Sequence, residues 1–200
     1  MRRMYFLGVT TGASFIHKIF PRWAELSGIG DASLAGIDIV PGAAPERYRA
    51  AVATIREDPQ ALGALVTTHK VALYAHARDL FTAFNAEAEE LGEVGCIVRR
   101  GERLEGIGID TLTAGMELRS IVGEGPFRGQ ALILGAGGAG VALAVHLRRE
   151  HRPAGVILTD VATERLDRAR RLVAARYELA SENDRLLEAL PAGSLVVNAT

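Results

Sequence analysis

The amino-acid sequence predicts an α/β protein with two domains. Short apolar runs typical of buried strands alternate with longer stretches whose apolar residues recur at helical spacing. A glycine-rich loop joins one of these strands to the following helix, which is typical of a doubly wound dinucleotide-binding sheet. We therefore expect a mixed-sheet substrate domain over residues 1–115 and a Rossmann-like domain over residues 116–200.

The composition is that of an ordinary globular protein, with 48% hydrophobic residues, 24% charged residues and a formal net charge of −1. The chain has no run of basic residues of the kind that binds nucleic acid or anionic lipid, so we expect a small-molecule ligand. The single cysteine, Cys96, is consistent with a reducing compartment, and the N-terminal apolar run is too short for a signal peptide or membrane span. These features favour a cytoplasmic protein. The oligomeric state, monomer or homodimer, stays open.

The first half contains five expected strands and four expected helices. The strands are residues 5–10, 37–40 and 62–67, followed by a hairpin of 94–99 and 104–107. The helices are residues 14–26, 45–55, 70–80 and 83–91. Pro21 predicts a kink or break in the first helix because proline lacks a backbone N–H. Pro45 lies in a first helical turn, where the missing N–H costs little.

The second half is expected to contain alternating strands and helices, which indicates a parallel sheet. A helix over residues 111–122 precedes a connection, 123–129, that contains three glycines and a proline. The expected strands that follow are residues 131–134, 155–159 and 194–197, and the expected helices are 138–149 and 163–175. Continuous apolar runs, such as residues 131–134 and 155–158, are typical of parallel strands buried on both faces.

A G-x-G-x-x-G motif lies at Gly135, Gly137 and Gly140, directly after an apolar strand and directly before a helix. Its glycines allow a tight turn, the approach of a pyrophosphate to the backbone, and close packing of helix and strand. The N–H groups at the helix start then bind the anion. The alternative is a strand-to-helix turn without a ligand, but the flanking elements favour a dinucleotide.

Asp160 ends the second strand of this domain, 25 residues after Gly135. A carboxylate at this position binds the adenosine ribose hydroxyls and would repel a ribose phosphate. Since no basic residue directly follows Asp160, the sequence favours NAD over NADP, although Arg165 could weaken this preference. The alternative is an aspartate that caps the next helix.

Lys70 and Asp110 are the candidate catalytic residues, since each follows an expected strand of the first half. Ligands of α/β sheets gather at the carboxyl ends of strands. Oxidation of an alcohol requires a base for the hydroxyl proton, which a lysine in a cleft can be, and a neighbouring aspartate would orient it. Gly106 and Gly108 are expected to leave room nearby. The alternative is that Lys70 begins one helix and Asp110 caps another, without a catalytic role.

The order of these segments resembles the shikimate dehydrogenase family over nearly the whole chain. Six segments of the family are similar to segments of this chain. The family's serine-bearing opening loop is similar to residues 7–17, G-x-N-V-T-x-P-x-K to 63–70, and G-A-V-N-T to 92–96. G-x-N-T-D-G is similar to residues 106–111, G-A-G-G-A to 135–139, and N-A-T to 198–200. The second of these matches is one residue shorter than the family's segment.

This resemblance implies roles for particular residues. Lys70 and Asp110 become the catalytic pair, and Thr11, Ser14 and Thr67 become substrate-binding residues. The residues implied in cofactor binding are Gly135, Gly137, Gly138, Ala139, Gly140, Asp160, Asn198 and Thr200. The implied reaction is hydride transfer between NAD, or less favourably NADP, and the hydroxyl or ketone of a cyclic hydroxy acid.

The departures from the family concern the substrate and the length of the chain. The family binds the shikimate carboxylate with S-x-S-P-x-x-H, where this chain has Thr11 and Ala13 at the serine positions and Ser14 at the proline. Gly95 and Gly108 replace two asparagines, so the substrate is expected to be shikimate, quinate or a bulkier relative. The family also continues beyond N-A-T, so we expect either a fragment or a truncated relative with an incomplete second domain.

Two other functions remain open from the sequence. One is a non-catalytic dinucleotide-binding or sensing module, which the altered serine and asparagine positions favour. The other is a folate-type dehydrogenase of similar architecture.

Overall fold

The computed structural model describes residues 1–200, which form two compact units, Met1–Ile109 and Asp110–Thr200. Each unit has its own β-sheet with helices packed on it. The first sheet is mixed and the second is parallel, so the predicted α/β class and the Rossmann-like second sheet are confirmed. None of the helices combines the length and the apolar composition that a membrane-spanning segment requires.

The first unit is built on a six-stranded sheet. Its strands are β1 (Arg2–Gly8), β2 (Ala32–Asp38), β3 (Ala61–Val66), β4 (Ala83–Phe84), β5 (Cys96–Arg100) and β6 (Arg103–Ile107). Its helices are α1 (Ile16–Leu26), α2 (Pro45–Glu57), α3 (Lys70–Ala77) and α4 (Ala86–Leu91). The strand order is β2-β1-β3-β5-β6-β4, with β1 parallel to both neighbours and β5 antiparallel to both neighbours.

The core of the first unit lies between this sheet and helices α2 and α3. Leu7 of β1, Val52 and Ile55 of α2, and Leu73 of α3 are completely buried there. Each such side chain stabilises the fold by about 1.5–3 kcal/mol relative to an exposed one. This packing fixes β1 and β3, whose carboxyl ends carry the candidate substrate residues.

Helix α1 is continuous through Pro21, so of the predicted kink or break the break does not occur. Proline removes a single backbone donor, and the buried side chains of Ile16, Phe20 and Ala24 anchor the helix on both sides of it. Tertiary packing therefore outweighs the local preference.

The single helix expected over residues 83–91 is instead the short strand β4 followed by α4, with Asn85 between them. The Asn85 Oδ1 accepts hydrogen bonds from the Ala88 N–H at 3.0 Å and the Gly108 N–H at 2.8 Å. Its Nδ2 donates to the Gly108 carbonyl oxygen at 2.7 Å. Asn85 is thus an N-cap of α4 that also ends the pairing of β4 with β6.

The second unit is built on a four-stranded parallel sheet. Its strands are β7 (Gln130–Leu134), β8 (Gly155–Asp160), β9 (Arg176–Leu179) and β10 (Leu195–Asn198). Its helices are α5 (Asp110–Val122), α6 (Gly138–His146), α7 (Thr163–Arg170) and α8 (Asn183–Ala189). The order β10-β7-β8-β9 is that of one half of a doubly wound sheet, in which strand order reverses between the first and fourth strands.

Helix α5 packs against α6. Gly115 of α5 makes this possible, since a Cβ there would overlap the imidazole ring of His146. The His146 ring contacts the His151 ring in a tilted arrangement, with an interplanar angle of 55° and a centroid distance of 5.4 Å. His151 ends the π-helical segment Leu147–His151 that continues α6. The connection over residues 123–129 also contacts His151, whose Nδ1 lies 2.9 Å from the Gly125 carbonyl oxygen.

Candidate functional site

The turn that carries Lys70 is fixed at the carboxyl end of β3. Thr67 donates from both its backbone N–H, at 3.0 Å, and its hydroxyl, at 3.1 Å, to the carbonyl oxygen of Leu7 on β1. The Lys70 N–H donates to the Thr67 carbonyl oxygen at 3.2 Å, which closes the turn and begins α3. Lys70 therefore opens a helix directly beyond the end of a buried strand, as the sequence predicts.

The segment before β5 joins this turn to the end of β6. The Val94 N–H donates to the Lys70 carbonyl oxygen at 3.1 Å, and the Gly95 N–H donates to the Ile107 carbonyl oxygen at 2.9 Å. Asp110, the first residue of α5, follows Ile107 by three positions along the chain. The hydrogen bonds of the first unit thus link the backbone of Lys70 to the strand that leads into Asp110.

The loop after β1 is stabilised by an aspartate that the sequence analysis did not single out. The Asp38 Oδ1 accepts hydrogen bonds from the Thr11 N–H at 2.8 Å and the Thr11 hydroxyl at 2.5 Å. These bonds hold the pKa of the Asp38 carboxyl below its usual value, the hydroxyl contributing most. The hydroxyl of Thr11 therefore contacts a protein carboxylate at the carboxyl end of β2.

Three further polar residues lie in the segments that follow β1 and β3 along the chain. The Ser14 hydroxyl oxygen accepts from the Ile16 N–H at 3.3 Å, at the start of α1, and the His17 Nε2 lies 3.1 Å from the Thr11 carbonyl oxygen. His69, adjacent to Lys70, is buried with its Nε2 2.8 Å from the Ile39 carbonyl oxygen. These contacts shape the turns around Thr11 and Lys70.

The room expected beside Gly106 and Gly108 is filled, which corrects the sequence interpretation. A Cβ on Gly106 would meet the Phe84 ring at 2.5 Å, and one on Gly108 would meet the Ala88 backbone nitrogen at 2.7 Å. Glycine is required at these positions because β4 and α4 pack directly on the end of β6.

The glycine loop of the second unit lies where the strand order of its sheet reverses. Gly135 adopts φ +109°, a left-handed conformation that favours glycine, and its N–H donates to the Thr159 carbonyl oxygen at 2.8 Å. A Cβ on Gly140 would overlap the Gly135 carbonyl oxygen, whereas a Cβ on Gly137 would meet nothing within 4 Å. The loop is closely packed at its base and open at Gly137, the N-cap of α6.

The start of α6 is suited to an anion. The first intrahelical hydrogen bond runs from the Val141 N–H to the Gly137 carbonyl oxygen, at 3.0 Å. The N–H groups of Gly138, Ala139 and Gly140 precede it, and the first amides of a helix have no intrahelical acceptor. Together with the open space at Gly137, they fit the pyrophosphate of a dinucleotide.

Asp160 lies directly beneath this loop and is 4% exposed. Its Oδ2 accepts from the Ala136 N–H at 2.8 Å, its Oδ1 accepts from the Ala162 N–H at 2.9 Å, and the Arg165 guanidinium lies 3.6 Å away. Each oxygen of a carboxylate can accept a second hydrogen bond, so Asp160 holds the loop and retains acceptor capacity for ribose hydroxyls.

The end of β10 completes the same region. The Ala199 N–H donates to the Leu134 carbonyl oxygen at 2.7 Å, and a Cβ on Gly135 would meet the Ala199 carbonyl oxygen at 2.7 Å. The Asn198 Oδ1 accepts from both the N–H and the hydroxyl of Thr200. The structure thus brings together the glycine loop, Asp160, Asn198 and Thr200, all predicted as cofactor-binding residues.

Glu93 is a second residue that the sequence analysis missed. It lies between Gly92, which ends α4 in a left-handed conformation, and Val94, and it is only 1% exposed. The sequence signal for it is an acidic residue inside an otherwise apolar segment.

A mixed-sheet unit followed by a doubly wound unit with a glycine-rich strand-to-helix loop is typical of the class of two-domain dinucleotide-binding α/β proteins. No protein-family model matches the chain. A shikimate dehydrogenase (NADP(+)) of Bacillus cereus (strain 03BB102) is 33% identical over 111 residues, which are 56% of this chain and 37% of that protein.

Two solved structures are similar over 100% of this chain. Shikimate 5-dehydrogenase from Thermus thermophilus, in complex with NADP(H) and shikimate, has a TM-score of 0.70 at 27% identity, with 69% of that chain covered. Quinate dehydrogenase from Corynebacterium glutamicum, in complex with NAD, has a TM-score of 0.72 at 20% identity, with 70% covered. The chain is thus similar to shikimate dehydrogenases both in sequence and in fold. The matched part spans just over a third of the Bacillus relative.

Proposed function

We propose that this chain forms the substrate-binding and dinucleotide-binding part of an oxidoreductase that interconverts a hydroxyl and a ketone on a cyclic hydroxy acid, such as shikimate or quinate. The observation that carries the proposal is the backbone link from Lys70 through Val94 and Gly95 to Ile107, the strand end that leads into Asp110. The names of the similar proteins, which are shikimate and quinate dehydrogenases, support the same reaction class.

In this reaction Lys70 moves the proton. During oxidation its amine takes the proton of the substrate hydroxyl, and during reduction its ammonium returns a proton to the ketone oxygen. We assign Asp110 as the second member of the catalytic pair, as the resemblance to the family implies. A bound nicotinamide dinucleotide would accept or supply the hydride, and it would be held by the amides at the start of α6 and by Asp160, Asn198 and Thr200.

The substrate end has fewer polar side chains than the family pattern, since Gly95 and Gly108 replace asparagines. Thr67 and Ser14 lie on the turns beside Lys70 and Thr11, and we assign them to substrate binding. The Thr11 hydroxyl faces Asp38, so this loop presents a carboxylate near the place where the family's serines lie. This arrangement favours quinate or a bulkier cyclic acid that binds through its hydroxyl groups.

We further propose that the cofactor is NAD in preference to NADP. Asp160 is buried against the glycine loop, and a negative charge about 4 Å from a 2′-phosphate costs about 1 kcal/mol even at the dielectric constant of water. Arg165, near Asp160, reduces this repulsion but lies largely in solvent. The Bacillus relative is named as an NADP(+) enzyme and the Thermus structure contains NADP(H), whereas the Corynebacterium structure contains NAD, so the proposal rests on Asp160 and not on the comparisons.

The test is a turnover assay with the purified protein in its full natural length. Shikimate and quinate are each combined with NAD⁺ or NADP⁺, and the absorbance of the reduced cofactor is followed for the native protein and for Lys70→Met. Turnover that Lys70→Met abolishes is the expected result. Tight dinucleotide binding without turnover of either acid would overturn the proposal in favour of a sensing module.

A further inference from the structure

Asp38 is a charged residue that the proton transfer described above does not use. It ends β2 and is exposed. The hydroxyl and the N–H of Thr11 both donate to its Oδ1 and lower the pKa of the carboxyl, which is therefore ionised at neutral pH. No cation contributes to this pKa shift, and Oδ2 has no hydrogen-bond partner in the protein. The end of β2 thus presents a negative charge without a counter-charge.

Asp38 lies at the same edge of the first sheet as the turn that carries Lys70. Gly8, at the end of β1, is opposite Asp38 in the parallel pairing with β2. A Cβ on Gly8 would lie 3.0 Å from the Thr67 Oγ1 and 3.3 Å from the Thr11 Cγ2. Since adjacent strands are about 4.8 Å apart, the ends of β2 and β3 on either side of β1 are about 10 Å apart. A substituted six-membered ring whose hydroxyl meets the Lys70 side chain is long enough to bring its other end near Asp38.

Most polar side chains at this edge donate their hydrogens to the protein itself. The Thr67 hydroxyl donates to a carbonyl oxygen of β1, and the buried Thr11 hydroxyl donates to Asp38. The His17 Nε2 lies 3.1 Å from the Thr11 carbonyl oxygen, which can only accept, so the proton of the neutral ring is on Nε2. Ser14 retains its hydroxyl hydrogen, because its oxygen accepts from a backbone N–H. Beside Lys70, the side chains of this edge are therefore richer in acceptors than in donors.

We propose that Asp38 is a specificity-determining residue that selects substrates by the group they present to the end of β2. A hydroxyl or an ammonium group donates a hydrogen bond to the free Oδ2, whereas a carboxylate can only accept and is repelled by the charge. The inference rests on the proposed function in that the reacting hydroxyl of the substrate lies at Lys70. It narrows the substrate class to cyclic alcohols whose other end is neutral or cationic, and an acid binds only with its carboxylate turned away from Asp38.

The test compares ligands that differ only in this end group. Shikimate is compared with its hydroxymethyl and aminomethyl analogues, in which a neutral or a cationic donor replaces the carboxylate. Dissociation constants are measured by calorimetry on the protein in its full natural length, with NADH present so that the alcohols are not oxidised. The two analogues separate a hydroxyl from an ammonium group as the preferred donor.

We expect both analogues to bind the native protein at least about tenfold more tightly than shikimate. In Asp38→Asn, whose amide oxygen still accepts from Thr11, this advantage should fall by about tenfold, and the aminomethyl analogue should lose most. The matched control is Asp31→Asn. Asp31 is an exposed acidic residue directly before β2, at the opposite end of the same strand, so its removal should leave the ratio of dissociation constants unchanged.

Tighter binding of shikimate than of both analogues by the native protein would overturn the inference, and so would the absence of binding by all of these ligands. An unchanged ratio in a folded Asp38→Asn protein would overturn it equally. If that variant fails to fold, as judged by circular dichroism, the ratio in the native protein decides. Binding is measured without turnover, so a donor preference without oxidation of any ligand would contradict the proposed reaction and leave the role of Asp38 supported.

Discussion

The glycine loop of the second unit and the strand ends of the first unit position their functional groups differently. In the loop, backbone amides at the start of α6 form the site, and Gly135 and Gly140 are required by backbone geometry. At the strand ends, side chains such as Thr11 and Asp38 form the candidate substrate site. A site made of backbone retains its glycine spacing, whereas a site made of side chains can change while the fold stays the same.

The largest expected effect tests the side-chain site. Lys70→Met should lower kcat by about 10²–10⁴-fold, because general acid–base catalysis by one residue contributes that much. The dissociation constant for the dinucleotide, measured by fluorescence titration, should stay the same since Lys70 lies in the first unit. A variant that retains native kcat would show that Lys70 is only the first residue of a helix.

The next effect tests the backbone site with a matched pair of glycines. In Gly140→Ala the new methyl group would overlap the Gly135 carbonyl oxygen, so we expect a loss of about 1–3 kcal/mol in unfolding free energy and weaker dinucleotide binding. Gly137→Ala meets open space within the same loop and should leave the urea unfolding midpoint unchanged. Equal destabilisation by both substitutions would contradict the described loop geometry.

Cofactor preference should respond to a smaller change. Asp160→Ser should reduce the preference of kcat/KM for NAD over NADP by about tenfold, or about 1.4 kcal/mol, because the carboxylate that repels the 2′-phosphate is gone. Arg165→Ala is the paired variant and should increase the preference, as it removes the nearby positive charge. A native enzyme that favours NADP would show that Asp160 only stabilises the glycine loop and does not select the cofactor.

The smallest effect concerns the stability of the second unit at acidic pH. Burial lowers the pKa of His146, and His151 and Arg119 lower it further while Glu150 opposes them. Since the folded-state pKa lies below the unfolded value of about 6.5, the stabilising contribution is full above that pH and is lost as the pH falls.

We expect the urea midpoint to decrease between pH 7.5 and pH 5.5, and this decrease to be smaller in His146→Leu. The exposed His76→Gln is the control and should retain the native pH dependence. An identical decrease in His146→Leu and the native protein would rule out a contribution from His146.

The sequence predicts the backbone site better than the side-chain site for a physical reason. Gly135 has a positive φ that favours glycine, and a Cβ on Gly140 would overlap the Gly135 carbonyl oxygen, so the motif identifies both residues. Asp38 and Glu93 are single acidic residues that no local spacing marks, and Thr11, the partner of Asp38, lies far from it in sequence. Strand β9 was missed because Arg176–Leu179 is short and contains two charged residues, although its backbone completes the sheet.

Asn85 has a consequence for the association of the protein with other chains. Strand β4 lies at one edge of the first sheet, and edge strands offer free backbone groups to which another strand can add. This edge strand has only two residues, and the Asn85 side chain then bonds both the N–H and the carbonyl oxygen of Gly108 on the neighbouring segment. An amide side chain thus takes the place of the next strand residue, and little edge remains for intermolecular β-sheet formation or fibril growth on this side.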